Sequence, residues 1–142
     1  MAKRLTARAS PEIEKLKAAN LAYYKALSAR DLRAMAQVWT CAENNILIAP
    51  PENPREHIGW TAIKRNWERY WPTFAQFSVL MKVNKINVSG PVAWAHGIEK
   101  TRWRKKTGEV GSSRNFGTNI FVNRNGQWLM VFHQAAEIPR KS

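Results

Sequence analysis

The sequence predicts an α+β fold in which a strongly curved, mostly antiparallel sheet forms a cone covered by three helices from the N-terminal half. Two patterns carry this prediction. Apolar residues recur at helical spacing in segments up to residue 71, and beyond it they alternate with period two over four long runs. Helices followed by a block of antiparallel strands are typical of this class, with the helices on one face of the sheet. The mouth of such a cone is a natural place for a ligand cavity.

Each of the three helices is marked by a start or stop signal. Ser10-Pro11 offers a hydroxyl cap and a proline at the first helical position, and Asp31 offers a second cap. Gly59 precedes the third helix, and Pro72 ends it because proline cannot continue an α-helix. The predicted helices run from Pro11 to Leu27, from Leu32 to about Trp39 and from Trp60 to Trp71.

The strand signals begin with a short apolar run, Ile46–Ala49. Pro50 and Pro51 end this strand, and residues 50–58 are predicted to form a polar loop. Four long alternating runs follow the third helix, and Asn125-Gly126 between the last two is a strong signal for a hairpin turn. The long strands are predicted at Phe77–Val88, Val92–Arg104, Ser112–Asn123 and Trp128–Ala135, joined as a meander.

Length and composition indicate one globular domain. The chain has 142 residues, and we expect the domain to span residues 10–138, after a basic tail of residues 1–9 and before a C-terminal tail of residues 139–142. An apolar content of 44% excludes a disordered or collagen-like chain. The single Cys41 cannot form an internal disulfide, so a reducing, cytoplasmic location is expected. No apolar run approaches the ~20 residues that span a bilayer, so no membrane partner is expected.

The chain is strongly basic, with 23 Lys and Arg against 10 Asp and Glu and a net charge of +13. The densest basic run is Lys100–Lys106, which contains Trp103, so a nucleic acid could place phosphates there and stack a base on the indole. The run is predicted at a hairpin end, where cations usually keep a strand edge solvated. Nucleic-acid binding through this hairpin is therefore the third hypothesis, not the first.

Metal and phosphate sites have no support in the residue spacing. The three His and one Cys show none of the patterns typical of metal ligands, and no glycine-rich phosphate loop is present. Asp31 is the only aspartate and is assigned to helix capping. We expect no metal and no cofactor.

Three segments together carry a family resemblance. The hairpin from Gly117 to Ala136 has Thr-Asn-Ile-Phe before its turn and Trp-Leu-Met-Val-Phe-His-Gln-Ala-Ala after it. The helix segment Gly59–Trp67 and the strand segment Val92–Ala95 add to the pattern. These segments resemble SnoaL-like proteins of the nuclear transport factor 2-like superfamily, also called the ketosteroid-isomerase-like fold. The resemblance extends over residues 12–137.

The resemblance implies the helix-covered cone, but the superfamily includes isomerases, dehydratases, hydrolases and non-enzymes. Where SnoaL-like proteins usually end the hairpin with two histidines, this chain has His133 followed by Gln134. The carboxylate base of ketosteroid isomerases has no evident counterpart. The two-aspartate arrangement of limonene-epoxide-hydrolase-like members is excluded, because Asp31 has no second aspartate to pair with.

By analogy with the family, polar and aromatic side chains of the long strands are expected to line the concave face. Side chains two apart on a strand share a face, which groups Trp94 with His96 and leaves Glu99 on the opposite face. One of the two tyrosines of the first helix should also face the cavity. The candidate catalytic residues are His133, His96 and Tyr23, and the candidate ligand-binding residues are Asn119, Asn115, Trp94, Trp67, Trp71, Trp39 and Tyr24.

Each candidate also has a purely structural alternative: a satisfied histidine on a half-buried strand, a solvated asparagine, or a tryptophan or tyrosine in the core. The leading hypothesis is that the protein binds a small apolar or aromatic molecule and acts as a cofactor-free isomerase or dehydratase with His133 as base. His96 or a first-helix tyrosine would supply the electrophile, and Asn119 would orient the substrate. The alternative is a non-catalytic ligand-binding or assembly module. We expect a homodimer through the outer sheet face, on which Met130 and Phe132 or their neighbours are predicted to lie.

Overall fold

The computed structural model describes residues 10–49 and 56–140. The predicted basic tail of residues 1–9 lies outside this part, as do residues 50–55 and 141–142. The helices are α1 (Pro11–Ala29), α2 (Leu32–Val38) and α3 (Trp60–Tyr70), and a 3-10 turn (Trp71–Thr73) follows α3. The strands are β1 (Ile46–Ile48), β2 (Glu56–Ile58), β3 (Phe74–Ser89), β4 (Val92–Lys105), β5 (Val110–Arg124) and β6 (Gln127–Glu137). The predicted α+β class is confirmed.

The helices begin where the capping residues predicted. Ser10 Oγ accepts a hydrogen bond from the Ile13 N–H at 3.1 Å, and Asp31 Oδ1 accepts one from the Ala34 N–H at 3.0 Å. Each cap satisfies a backbone donor that the first helical turn leaves without a partner. Asp31 is therefore occupied in starting α2, as the sequence indicated.

The sheet has the order β2-β1-β6-β5-β4-β3 and is open, with β2 and β3 at its edges. The long strands β3 to β6 form the predicted antiparallel meander, while β1 pairs in parallel with β6. The loop predicted over residues 50–58 is wrong at its end, because Glu56–Ile58 forms β2 and pairs with β1. Three residues are too few for an alternation pattern to indicate a strand.

The edge strand β3 has 16 residues and is interrupted by a bulge between Val83 and Lys85. Lys82 and Lys85 are exposed on either side of it. The neighbouring strand approaches closely here, since a β-carbon at Gly97 would lie 2.1 Å from the Lys82 carbonyl oxygen. Glycine at residue 97 thus lets β4 pair with the bulged strand.

A second bulge changes which side chains of β6 face inward. Ile120 pairs with Phe132 while Phe121 pairs with Met130, so Val131 is left over. The inward set is Trp128 and Met130 before the bulge and His133 and Ala135 after it. The prediction that Met130 lies on the outer face is therefore wrong, and its side chain is 0% exposed in the core.

The face assigned to β4 is also opposite to the prediction. Ala93, Ala95 and Glu99 are buried on the concave face, whereas Trp94 is 37% exposed on the convex one. His96 lies on the convex face with Trp94. Alternation identifies residues that share a face, but it does not say which face is inner. Small residues fill the concave side because the helices pack over it.

Candidate active site

A cavity of about 500 Å³ lies between the concave face of the sheet, α1 and the end of α3. Its wall is rich in aromatic rings, and Trp67 and Trp71 stack with centroids 5.3 Å apart and planes inclined by 8°. Tyr23, Glu99 and His133 also line it. The cavity is thus an aromatic chamber with a small set of buried polar groups, which is the usual composition of a small-molecule site.

Two ionisable side chains meet in this cavity. Glu99 on β4 is 3% exposed and His133 on β6 is 2% exposed, and Glu99 Oε2 lies 3.8 Å from His133 Nε2. Buried polar groups of this kind are costly unless they are paired, so their co-location is informative. At this separation the carboxylate can stabilise a positive charge on the imidazole without a direct hydrogen bond between them.

Each member of the pair is held by further hydrogen bonds. The Tyr24 hydroxyl donates to Glu99 Oε2 at 2.6 Å, and Asn115 Nδ2 lies 3.4 Å from Glu99 Oε1. His133 Nδ1 lies 2.5 Å from Asn119 Oδ1. Asn119 Nδ2 in turn donates to the Tyr24 hydroxyl at 3.0 Å. The pair is therefore fixed on both sides by side chains of α1 and β5.

Tyr23 differs from Tyr24 in having its hydroxyl uncommitted. It lines the cavity with its ring centroid 5.1 Å from that of His133. Within residues 10–49 and 56–140, no hydrogen-bond partner holds its hydroxyl. Burial, and then the charge of Glu99, raise its pKa well above the usual value of 10.0, so the phenol stays protonated and can donate to a bound ligand.

The protonation of His133 follows from its surroundings. Burial lowers its pKa below 6.5, and the Glu99 charge acts in the opposite direction. A neutral imidazole near pH 7 has a free lone pair and is able to accept a proton. Burial, and then the charges of Glu99 and Tyr23, also raise the pKa of Tyr24, which therefore remains a hydrogen-bond donor.

The predicted site residues fall into three groups. Tyr23, Asn115, His133, Trp67 and Trp71 line the cavity. Asn119 and Tyr24 are buried behind it, in contact with the ionisable pair. Three predicted residues lie elsewhere: Trp39, Trp94 and His96.

Those last three residues have clear structural places. Trp39 is in the core, with its ring centroid 6.1 Å from that of Trp67. Trp94 and His96 are on the convex face, where His96 Nδ1 lies 2.8 Å from the Thr118 hydroxyl. His96 is therefore wrong as a catalytic candidate for this cavity, and Trp94 is wrong as a wall residue.

Two residues of the site were missed from the sequence. The alternation pattern predicts Glu99 on the outer face, and Asn20 of α1, which accepts from Asn119 Nδ2 at 2.8 Å, is not among the predicted site residues. A signal for Glu99 was present in the alternation of Ala93, Ala95 and Gly97. Three small residues in a row on one face of a strand indicate close packing against helices, and Glu99 continues that face.

Trp103, which the sequence suggested as a stacking platform for bases, faces the cavity instead. It lines the cavity wall, and a β-carbon at Gly111 would lie 2.3 Å from its ring. The indole thus packs against the backbone of β5. Its ring is part of the inner wall, which leaves the basic run Lys100–Lys106 without an outward aromatic group of its own.

Neither a metal cluster nor a membrane helix is found where the structure describes the chain. Across residues 10–49 and 56–140, no group of three or more His, Cys, Asp or Glu side chains could hold a metal ion. None of the helices in that part is long and apolar enough to cross a membrane.

The family model of the SnoaL-like domain matches residues 16–140. The chain belongs to this family. Among curated proteins, none matches the sequence significantly. The family resemblance predicted from the sequence is thus confirmed over residues 16–140.

Solved structures show the same fold at low sequence identity. A nuclear transport factor 2-like superfamily protein from Salmonella enterica is 15% identical with a TM-score of 0.80, over 91% of this chain and 92% of that one. A ketosteroid isomerase-like protein from Erwinia carotovora is 17% identical with a TM-score of 0.80, over 93% of this chain and 100% of that one. A CaMKII hub from S. rosetta is 15% identical with a TM-score of 0.74, over 92% and 99%. This SnoaL-like domain therefore has the nuclear transport factor 2-like fold.

Proposed function

We propose that this SnoaL-like domain binds a small, largely apolar or aromatic molecule and moves a proton on it with the Glu99–His133 pair. The observation that carries the proposal is the 3.8 Å approach of these two groups, both almost fully buried, in the wall of an aromatic cavity. Buried ionisable pairs in a cavity are typical of acid–base sites. The reaction class is an isomerisation or a dehydration, and it uses no cofactor.

The proposed step begins with removal of a proton from the carbon next to a carbonyl group of the ligand. His133 Nε2 accepts this proton, and the adjacent Glu99 carboxylate stabilises the imidazolium that forms. The electron pair of the C–H bond moves onto the carbonyl oxygen, to which the Tyr23 hydroxyl donates. In an isomerisation the proton returns to a different carbon. In a dehydration it goes to a departing hydroxyl, which leaves as water.

The proton-accepting step can be tested without the native substrate by the Kemp elimination of 5-nitrobenzisoxazole. A base removes the ring C–H proton, the N–O bond breaks, and a coloured cyanonitrophenolate forms. We expect the wild-type protein to accelerate this reaction, and His133→Ala to lose ~10²–10⁴ of the rate, the usual share of a general base. His133→Gln should be nearly as slow, because an amide cannot accept the proton.

The matched control is His96→Ala, which removes the imidazole on the convex face. It should leave the rate unchanged, because His96 is not in the cavity. Equal rates for wild type and His133→Ala would refute the proposed chemistry. A rate that falls equally in His133→Ala and His96→Ala would show that the elimination takes place outside the cavity.

The second candidate function is a non-catalytic binding or assembly module. It is favoured by the apolar convex face, where Trp94 and Phe116 are exposed, and by the likeness to a protein described as a CaMKII hub. We propose that this face joins two copies of the chain into a homodimer. Under this alternative His133→Gln keeps ligand affinity, and no elimination is accelerated.

A further inference from the structure

Glu99 and His133 of the cavity wall form a ring with two side chains buried behind it, and this ring is closed on three sides. Glu99 is joined to Tyr24, Tyr24 to Asn119, and Asn119 to His133, by contacts of 2.6, 3.0 and 2.5 Å. The fourth side is the 3.8 Å space between His133 Nε2 and Glu99 Oε2. That distance is too long for a direct hydrogen bond, so this side of the ring is open.

The direction of every hydrogen bond in the ring is set by Glu99. The Tyr24 hydroxyl has a single hydrogen, and it donates this hydrogen to Glu99 Oε2. The Tyr24 oxygen can then only accept from Asn119, which must present Nδ2 to it. Asn119 consequently presents its carbonyl oxygen Oδ1 to His133.

Asn20 supports the same orientation of the Asn119 amide from a second direction. Its Oδ1 accepts from Asn119 Nδ2 at 2.8 Å, while its own Nδ2 lies 3.6 Å from the sulfur of Met81. Turning the Asn119 amide over would place two carbonyl oxygens face to face. It would also leave the Tyr24 oxygen without a donor, in a buried place where an unpaired polar atom is costly.

From this geometry we infer that Asn119 is the positioning residue of the site and that it keeps His133 in the tautomer with its hydrogen on Nδ1. Nε2 then carries the lone pair, at the open side of the ring, next to Glu99. The inference rests on the proposed function for its use, because only this tautomer can take a ligand proton on Nε2. The opposite tautomer carries its hydrogen on Nε2, toward Glu99, and therefore cannot accept a ligand proton on that nitrogen.

The tautomer can be read directly by long-range 1H–15N correlation NMR, which distinguishes a protonated from an unprotonated ring nitrogen. The chain has three histidines, so single-histidine variants assign the signals. At pH 8 we expect the wild-type His133 hydrogen on Nδ1 alone. In Asn119→Leu the acceptor is lost, and we expect the hydrogen to move to Nε2. His96 is the internal control, because its partner Thr118 is untouched.

Kemp elimination provides the second measurement. Asn119→Leu should lower kcat by tenfold or more with a KM within about twofold of wild type, because a wrong tautomer removes the base while the cavity wall is preserved. If Asn119→Leu does not fold, Asn119→Ser replaces it, since a serine hydroxyl is too short to reach Nδ1. A folded Asn20→Leu variant, which retains the Tyr24 contact, should show a smaller loss.

The outcomes separate this inference from the proposed function. A wild-type hydrogen on Nε2, or an Asn119 variant that keeps it on Nδ1, overturns the role of Asn119 whatever the kinetics show. The expected tautomers combined with an unchanged rate in His133→Ala support the positioning role and refute the catalytic proposal. A loss of rate in Asn119→Leu without a change of tautomer would mean that the residue acts only through packing.

Discussion

The side chain of Glu99 lies across Gly117 of the neighbouring strand. A β-carbon at residue 117 would stand 2.9 Å from both Cδ and Oε2 of Glu99. Real β-carbons do not approach other atoms so closely, so the carboxylate occupies space that exists only because residue 117 is glycine. The position of the buried acid is therefore determined by β5 as much as by β4.

Gly117→Ala should displace the Glu99 carboxylate and break its hydrogen bond with Tyr24. We expect a loss of about 1–3 kcal/mol in the free energy of unfolding, the usual cost of disrupting a buried hydrogen bond to a charged group. Kemp elimination should fall by at least tenfold. Denaturant unfolding and the rate assay measure the two effects, and Thr118→Ala, on the outer face, is the control for the rate. Wild-type behaviour in both assays would contradict the close contact.

Stability should fall in acid because of His133. Its folded pKa is lowered from 6.5 by burial, so below about pH 6.5 the unfolded chain binds a proton that the folded chain does not. The free energy of unfolding consequently decreases as pH drops from 6.5 through the folded pKa. His133→Gln should show a shallower decrease than wild type. Parallel pH profiles for wild type and His133→Gln would argue against a buried neutral His133.

Stability should also fall at alkaline pH, because the two buried tyrosines of α1 resist ionisation in the folded protein. Burial raises the pKa values of Tyr23 and Tyr24 above 10.0, so above about pH 10 the unfolded chain releases protons that the folded chain retains. The free energy of unfolding therefore decreases as the pH rises above about 10. Tyr24→Phe should weaken this dependence and, at pH 7, should cost about 1.5–3 kcal/mol through the lost bond to Glu99. Ultraviolet titration that finds both phenols ionising near pH 10 would contradict the prediction.

The proposed homodimer places the convex sheet face between two copies. Phe116 is 49% exposed and Trp94 is 37% exposed there, on adjacent strands, so a charge in their midst should prevent association. Phe116→Asp is expected to be a monomer by light scattering at micromolar concentration, where wild type is a dimer. Leu21→Asp is the control, because Leu21 is equally exposed but lies on α1. A monomeric wild-type protein would refute the proposed homodimer.

The sequence predicts the elements well because their signals are local. Ser10, Asp31, Gly59 and the Asn125-Gly126 turn act within a few residues of their own position, and the structure has each helix or hairpin where they indicate it. The long alternating strands belong to the same category, since period two follows from backbone geometry alone.

The inner surface could be predicted only in part, for two physical reasons. The bulge at Val131 shifts the alternation by one residue, so Met130 and His133 share a face that strict period two would divide. Which face of β4 is the inner one depends on how closely the helices pack over it, and the alternation pattern does not contain this information. The analogy with the family assigned Trp94 and His96 to the inner face and Glu99 to the outer face, which is the reverse of the structure. The expected inward facing of Asn115 and His133 agrees with the cavity lining, whereas Asn119 on the same face is buried behind the cavity wall.

The bulged edge strand has a consequence for how the molecule behaves at high concentration. β3 presents 16 residues of backbone along an open edge, which is long enough to template pairing with another chain. The bulge between Val83 and Lys85 breaks the regular ladder, and Lys82 and Lys85 place charge on either side of it. Removing the bulge and the two lysines would leave a long, regular and uncharged edge strand. Such an edge would promote fibrous aggregation between molecules while the fold of each single molecule stayed intact.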